Sequence, residues 1–309
     1  MSIKPLLHFF AQQPNFNFMK GRWIGLATSA ILSTLSIILF FHPGLKLGLD
    51  FRGGVIIEAH SPKAETPEEI RHILEKKGIT ASVQSFGTDQ DYRISANMPE
   101  KETVEGNKTI VSTIQTALNE HTAGTKILRT DSVGASVSKE LFRDGLLALF
   151  LSLGMIMIYI WIRFEREFAI AAVITLILDL TKTVGFLVIT GFEFDLIMVA
   201  SLLTIIGYST NDKVVVYDRV RENLRKFRTM PLSEILNLSI NETLNRTLAT
   251  SSTLFLAALP LALFGGSTLT AFAWVMLVGI VIGTSSSIFI GAPLLLLMGS
   301  KRLRPHTKG

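Results

Sequence analysis

The feature that most constrains this chain is a succession of apolar runs, each long enough to cross a lipid bilayer, separated by charged segments. They cover approximately Trp23–Phe41, Leu146–Phe164, Phe168–Thr190, Leu196–Val216, Thr247–Phe264 and Leu269–Met298. About 19 helical residues rise about 28 Å, close to the thickness of the hydrocarbon core. The sixth run is longer than one crossing needs and is predicted to be tilted, or broken near Gly291–Pro293. Composition agrees, because 48% of the residues are hydrophobic and only 18% are charged. A soluble domain of this size needs a more polar surface. The expected fold class is a polytopic α-helical membrane protein with six transmembrane helices.

Charge sets the expected orientation. Lys20 and Arg22 precede the first run, Arg163 and Arg166 follow the second, and Arg219, Arg221, Arg225, Lys226 and Arg228 follow the fourth. Lys301, Arg302, Arg304 and Lys308 follow the sixth, whereas the short segments 191–195 and 265–267 carry no Lys or Arg. This positive-inside pattern predicts cytoplasmic termini, 1–22 and 299–309, and places 42–143 outside. The five later spans, 144–298, are expected to form one bundle with a cytoplasmic loop over 217–246. The first run lacks a small-residue cleavage site and is too long for a signal-peptide core, so it reads as a retained span. The net charge of +5 is explained by these basic flanks and gives no case for nucleic acid. With no cysteine in the chain, disulfides, thiolate metal sites and cysteine nucleophiles are excluded.

The external stretch has its own periodicities. Gly54–His60, Ala81–Phe86, Tyr92–Asn97 and Lys126–Val133 read as strands, and Pro67–Lys77 and Thr109–His121 as helices. Thr66 is a candidate N-cap and Gly78 a stop signal. The order β-α-β-β-α-β predicts a small ferredoxin-like α+β domain between the first two spans.

Five motifs stand in order along the chain. Gly48-Leu49-Asp50-Phe51-Arg52-Gly53-Gly54 follows the first span, and Tyr159-Ile160-Trp161-Ile162-Arg163-Phe164-Glu165 closes the second. The fourth span and its exit carry Gly207-Tyr208-Ser209-Thr210-Asn211-Asp212-Lys213 and, further on, Tyr217-Asp218-Arg219-Val220-Arg221-Glu222-Asn223. Asn241-Glu242-Thr243-Leu244-Asn245-Arg246-Thr247 precedes the fifth, and Gly283-Thr284-Ser285-Ser286-Ser287-Ile288-Phe289 lies in the sixth. In this order the set resembles the SecD/SecF protein-export family, on its SecF side, within the RND superfamily. The resemblance covers nearly the whole chain. Three positions depart from the family pattern: Lys213 stands in place of a small hydroxyl residue, Leu178 in place of a His before Asp179, and Ser285 in place of a Tyr.

The resemblance implies a subunit that promotes preprotein export across the bacterial inner membrane by proton-motive force, with no cofactor beyond the proton gradient. It also implies a SecD partner, a SecYEG-type channel and unfolded preproteins as substrate, and puts Asp212 and Arg246 in the proton-driven step.

The residues permit a related reading. A charge within a span costs about 2.5–3.5 kcal/mol on insertion scales, so each needs a partner or a task. Counting turns places Asp212 and Arg246 about 24 Å and 27 Å below the outer ends of adjacent spans, level enough for an ion pair that protonation would release. Against this, Arg246 fits an interfacial snorkelling arginine, and Asp212 a structural hydrogen bond with Tyr208. Asp179 and Lys182, at i,i+3 spacing, fit a structural pair as well as a relay. Lys213 can reach the headgroups or Asp179. Asp218 and Arg219 read as a solvated flank, Asn211 and Asn223 as caps or cross-links, and 233–244 as an amphipathic segment on the bilayer. Asp50 and Arg52, with Gly53 and Gly54, read as a structural hinge in which Asp50 caps the turn that follows it. The small residues of the sixth span read as packing more than a hydroxyl relay.

No H-E-x-x-H, G-x-S-x-G or P-loop motif is present, so no enzyme is expected. Two rivals remain: one half of an RND-type small-molecule exporter, and a non-transporting scaffold of the translocase.

Overall fold

The computed structural model describes residues 14–85, 88–96 and 104–298. The chain divides into two compact units. A helical unit takes the residues up to Lys46, Ala148–Phe192, and those from Ile197 onward; an α/β unit takes Leu47–Leu147 and Glu193–Leu196. The expected strand ends at Phe86 and Asn97, and the tail 299–309, lie outside the described residues, as do the first 13 residues of the N-terminal segment.

The α/β unit contains β1 (Gly54–His60), β2 (Ala81–Ser85), β3 (Asp91–Ala96) and β4 (Lys126–Val133), all antiparallel in the order β2-β3-β1-β4. Alternation explains the buried face. Val55, Ile57 and Ala59 of β1 are buried, and in register Ile57 lies opposite Ile94 of β3. Two helices cover that face. One is Pro67–Lys76, which contributes Ile70 and Leu74; the other is Val104–His121, which contributes Ile114 and Leu118. The first begins at a capping box, with the Thr66 hydroxyl accepting from the Glu69 amide and the Glu69 carboxylate accepting from the Thr66 amide.

The remaining helices follow from the apolar runs. We number all α-helices in chain order: α1 (Arg22–Leu39), α2 (Leu49–Arg52), α3 (Pro67–Lys76), α4 (Val104–His121), α5 (Ala135–Arg163), α6 (Arg166–Thr190), α7 (Leu196–Lys226), α8 (Leu232–Phe264), α9 (Gly266–Ser286) and α10 (Ala292–Met298). Among the described residues, five stretches are long and apolar enough to cross a membrane: Phe18–Gly44, α5, α6, α8 and Leu269–Met298. α7 has the length, 31 residues, but Asn211, Asp212 and Lys213 dilute its hydropathy.

Several helices overrun their apolar runs, because hydropathy marks lipid contact whereas backbone hydrogen bonding continues into water. α5 begins at Ala135, well before Leu146. The segment 217–246, expected as a loop, is helical except at 227–231. Its amphipathic stretch does not lie on a bilayer surface: Leu236 and Ile240 are buried in a protein core with Phe164, Phe168, Tyr217 and Leu244. Pro293 has no N–H for the carbonyl of Phe289, and there the chain widens into a π-type turn, Ser287–Gly291, before α10. A Cβ on Gly25 of α1 would lie 2.7 Å from that Phe289 carbonyl oxygen, so glycine is what lets α1 approach the turn.

Within the helical unit polarity is inverted relative to a soluble fold. The buried residues of α1 are Ser29, Ser33 and Ser36, while its Ile24, Ile31 and Ile38 are exposed. Small residues allow backbones to approach where lipid supplies no hydrophobic drive between helices. Gly185 of α6 is the counterpart, since a Cβ there would overlap the Ser36 side chain. We predict that Gly185→Leu destabilises the detergent-solubilised protein by roughly 1–3 kcal/mol through overpacking. Ser33→Ala, which removes a buried hydroxyl that has no hydrogen-bond partner, should be neutral. Thermal unfolding compared across the two variants measures this, and equal melting temperatures would count against small-residue docking.

Candidate functional site

Three charged side chains meet inside the helical unit. Asp179 of α6 and Lys213 of α7 have side chains 1% and 0% exposed, and Lys182 of α6 is 9% exposed. Lys213 Nζ donates to Asp179 Oδ2 at 3.0 Å, and Lys182 Nζ lies 3.3 Å from Asp179 Oδ1. Hydroxyls complete the shell: Ser209 donates to Oδ2 at 3.0 Å and Ser286 of α9 at 2.6 Å. Lys213 also donates to the Ser209 hydroxyl and, at 3.3 Å, to Ser286. Lys182 reaches Ser29 of α1 at 3.4 Å. One carboxylate is therefore held by two cations and two hydroxyls. This is the solvation a buried charge needs when water is excluded.

A second, less charged arrangement surrounds Asp212, which is 1% exposed. Lys213 follows it in sequence but projects about 100° away around the helix and is committed to Asp179. Thr284 Oγ1 donates to Asp212 Oδ2 at 3.4 Å. Thr284 in turn bonds Ser251 at 2.8 Å and Tyr208 at 3.2 Å, and Tyr208 bonds Ser251. The chain of hydroxyls ends at a cavity of about 570 Å³ between α8 and α9, walled by Ser251, Ser252, Phe255, Thr284 and Ser285.

The expected Asp212–Arg246 pair is not formed. Arg246 is exposed, and among the described residues no ion pair joins it to Asp212. Counting turns gave a matching depth, but depth says nothing of direction around the helix. The expected bond between Tyr208 and Asp212 is present, and the same Tyr208 hydroxyl also bonds Ser251 and Thr284. Lys213 pairs with Asp179, one of its two possible partners, and Asp179 with Lys182 forms the expected i,i+3 pair.

Beyond Tyr217 the charges form a second network and are not merely solvated. Arg219 donates to Glu242 and to Glu222, each at 2.6 Å, and Asn223 bonds Ser239 at 3.0 Å and Glu242 at 2.7 Å. Asp218 lies 3.2 Å from Arg163. Asn223 therefore cross-links α7 and α8, whereas Asn211 is exposed. Sequence reading gave no role to Glu242, Ser209, Thr284 or Ser251, and it took Ser286 as packing. The available signal was spacing: Ser209 lies one turn before Lys213, on the same face.

In the α/β unit, Asp50 does not cap its own turn. Its Oδ2 accepts from the backbone N–H of Leu196, the first residue of α7, at 3.0 Å. Arg52 is exposed, while Gly53 (φ 71°) and Gly54 (φ 131°) turn the chain into β1 through backbone shapes that favour glycine.

We predict that Asp179→Asn, which strands Lys213 without its carboxylate, costs about 3–5 kcal/mol of stability. Adding Lys213→Met should return most of that loss. A double-mutant cycle by thermal unfolding reads the coupling, and additive losses would show that the pair does not act as a unit.

Comparison with known proteins identifies the family. Residues 113–301 match the family described as protein export membrane protein SecD/SecF, C-terminal, and residues 38–60 match the SecD/SecF GG motif. Protein translocase subunit SecF of Rickettsia bellii (strain OSU 85-389) is 40% identical over 304 residues, 98% of this chain and 99% of the relative. That of Rickettsia akari (strain Hartford) is 39% identical over 98% of this chain and 97% of the relative. The crystal structure of SecDF, a translocon-associated membrane protein from Thermus thermophilus, superposes with a TM-score of 0.83 at 31% identity, over 94% of this chain and 39% of that one. SecDF in a super-membrane-facing form gives 0.68 at 32% identity, with the same coverage. With motifs, near full-length relatives and fold in agreement, the chain belongs to the SecD/SecF family of protein-export membrane proteins.

Proposed function

We propose that this chain is a SecF-type subunit of a bacterial Sec translocase that converts proton flow into outward movement of preproteins. In this reading α7 is also a span, the fourth in chain order, and brings the total to six despite its polar centre. The inner membrane holds the protein with both termini cytoplasmic, and the α/β unit is an external ferredoxin-like domain, supported by its β2-β3-β1-β4 order. A SecD partner supplies the other half of an RND-type assembly, because the solved SecDF chain is more than twice as long as the part matched here. A SecYEG-type channel and an unfolded preprotein complete the system. The proton gradient replaces any bound cofactor as the energy source.

The observation that carries the proposal is the contrast between the two buried aspartates. Asp179 holds two lysines and two hydroxyls and is fixed as a charge. Asp212 is equally buried, yet among the described residues no Lys or Arg lies within ion-pair distance of it. A buried carboxylate without a counter-ion is costly when ionised and inexpensive when protonated. Thr284, Ser251 and Tyr208 give it a hydrogen-bonded path toward the cavity between α8 and α9. Ionisation then demands a rearrangement that brings a cation or water to Asp212, and protonation relaxes it. With Lys213 committed to Asp179, Arg246 on the neighbouring helix α8 is the cation that would pair with Asp212 in the ionised state. One charge crossing the field is worth about 2.3 kcal/mol per 100 mV, enough to bias two packings.

The test is export by pulse–chase in cells depleted of this protein and complemented with Asp212→Asn. The variant should still copurify with its SecD partner while preprotein accumulates inside the cell. Thr284→Val, which cuts the hydroxyl path but keeps the carboxylate, should slow export by up to about a hundredfold, the lower end of the range for loss of a positioned proton-transfer group. Normal export from Asp212→Asn would leave a scaffold as the correct reading.

A further inference from the structure

The segment Gly48–Gly54 is the motif that proton chemistry leaves unexplained, and its contacts all fall within the α/β unit. Gly48 N–H donates to the Phe194 carbonyl at 2.8 Å, and Leu47 pairs with Phe194 as a short parallel bridge. A Cβ on Gly48 would lie 2.9 Å from the Cβ of Asp195, so only glycine fits. Asp50 Oδ2 holds the Leu196 amide. Phe51, 7% exposed, has its ring 5.4 Å from that of Phe194 and 5.3 Å from that of Phe142 on α5. A Cβ on Gly53 would meet Ser138 Oγ at 3.2 Å and the Val133 carbonyl at 3.3 Å. Seven residues thus fasten the root of β1 to the end of β4 and to the first turns of both α5 and α7.

The chemistry of that joint is specific. The first amides of a helix have no partner within it, and a carboxylate there both accepts the hydrogen bond and favours the positive end of the helix dipole. Asp50 does this for a helix 146 residues away in sequence. From the same point α7 runs on unbroken for about 24 Å to Asp212.

We propose that Asp50 is a positioning residue that makes the root of β1 and the first turn of α7 a single rigid joint. A shift of α7 driven at Asp212 then reaches Leu196 along one continuous helix, where Asp50 holds the first amide. The proposal rests on the proton-coupled reading of Asp212 for its source of motion, but the joint itself does not. It predicts that the Asp50–Leu196 bond stays closed throughout the export cycle.

The test uses the full chain assembled with its SecD partner. Asp50→Ala should make the amides at Leu196 and its neighbours exchange about 5- to 10-fold faster. It should lower export several-fold while copurification persists. Asp50→Asn, which keeps a carbonyl acceptor at the same place, should restore both. Because the native chain has no cysteine, a single disulfide can replace the cap: Leu47→Cys with Phe194→Cys joins the two bridge partners. Under oxidation this bond should rescue export by Asp50→Ala, and reduction should abolish the rescue. If the disulfide fails to rescue, or blocks export in a chain that retains Asp50, the rigid joint is wrong. Faster exchange at Leu196 in Asp50→Ala, together with normal export by Asp212→Asn, would keep the joint and sink only the proton switch.

Discussion

Lys213 has no exit to water, and its charge must be met by Asp179. That contact decides much of the helical unit. It draws α7 onto α6, recruits Ser286 from α9, and fixes the α7 rotation that turns Asp212 toward Thr284. Where a small hydroxyl residue stood in place of Lys213, Asp179 would have only Lys182 as a cation. With Lys213 present, one carboxylate shares two ammonium groups, and the cluster carries its own counter-charges without water. The two buried aspartates on adjacent helices therefore differ in their surroundings: Asp179 holds two cations, and among the described residues no Lys or Arg lies within ion-pair distance of Asp212.

The two units solve opposite solvent problems. In the α/β unit, alternating strands bury Val55, Ile57 and Ile94 beneath two helices, as water requires. In the helical unit, α1 turns three serines inward and its isoleucines outward. Neither pattern would be stable in the other's solvent.

Much of this was legible in the sequence. The long apolar runs marked the helices, because hydropathy over some 20 residues outweighs local detail, and alternation with Thr66 and Gly78 marked the α/β elements. Helix ends were not legible at 135 or across 217–246, since a polar helix and a polar loop have similar hydropathy. Among the site residues, Asp179 with Lys182 was readable because i,i+3 neighbours meet on any helix. Ser286 on Asp179 and Thr284 on Asp212 were not, because each contact depends on how two helices rotate against one another. The Asp212–Arg246 pair is not formed here for that reason, since position along a helix does not fix direction around it. Asp50 was assigned to its own turn because local capping is the commoner event, and nothing in a single sequence points to an amide at Leu196.

The network of Arg219, Glu242, Glu222 and Asn223 has a mechanical meaning. α7 and α8, at 31 and 33 residues, rise about 46 and 50 Å, against a hydrocarbon core of about 30 Å. The excess of each helix is not left to fray, because these charges bolt the two together beyond Tyr217. A braced pair of this length behaves as a lever whose fulcrum is the lipid. Tilting such a braced pair by a small angle would sweep its tip through a wider arc than the same tilt produces within the bilayer.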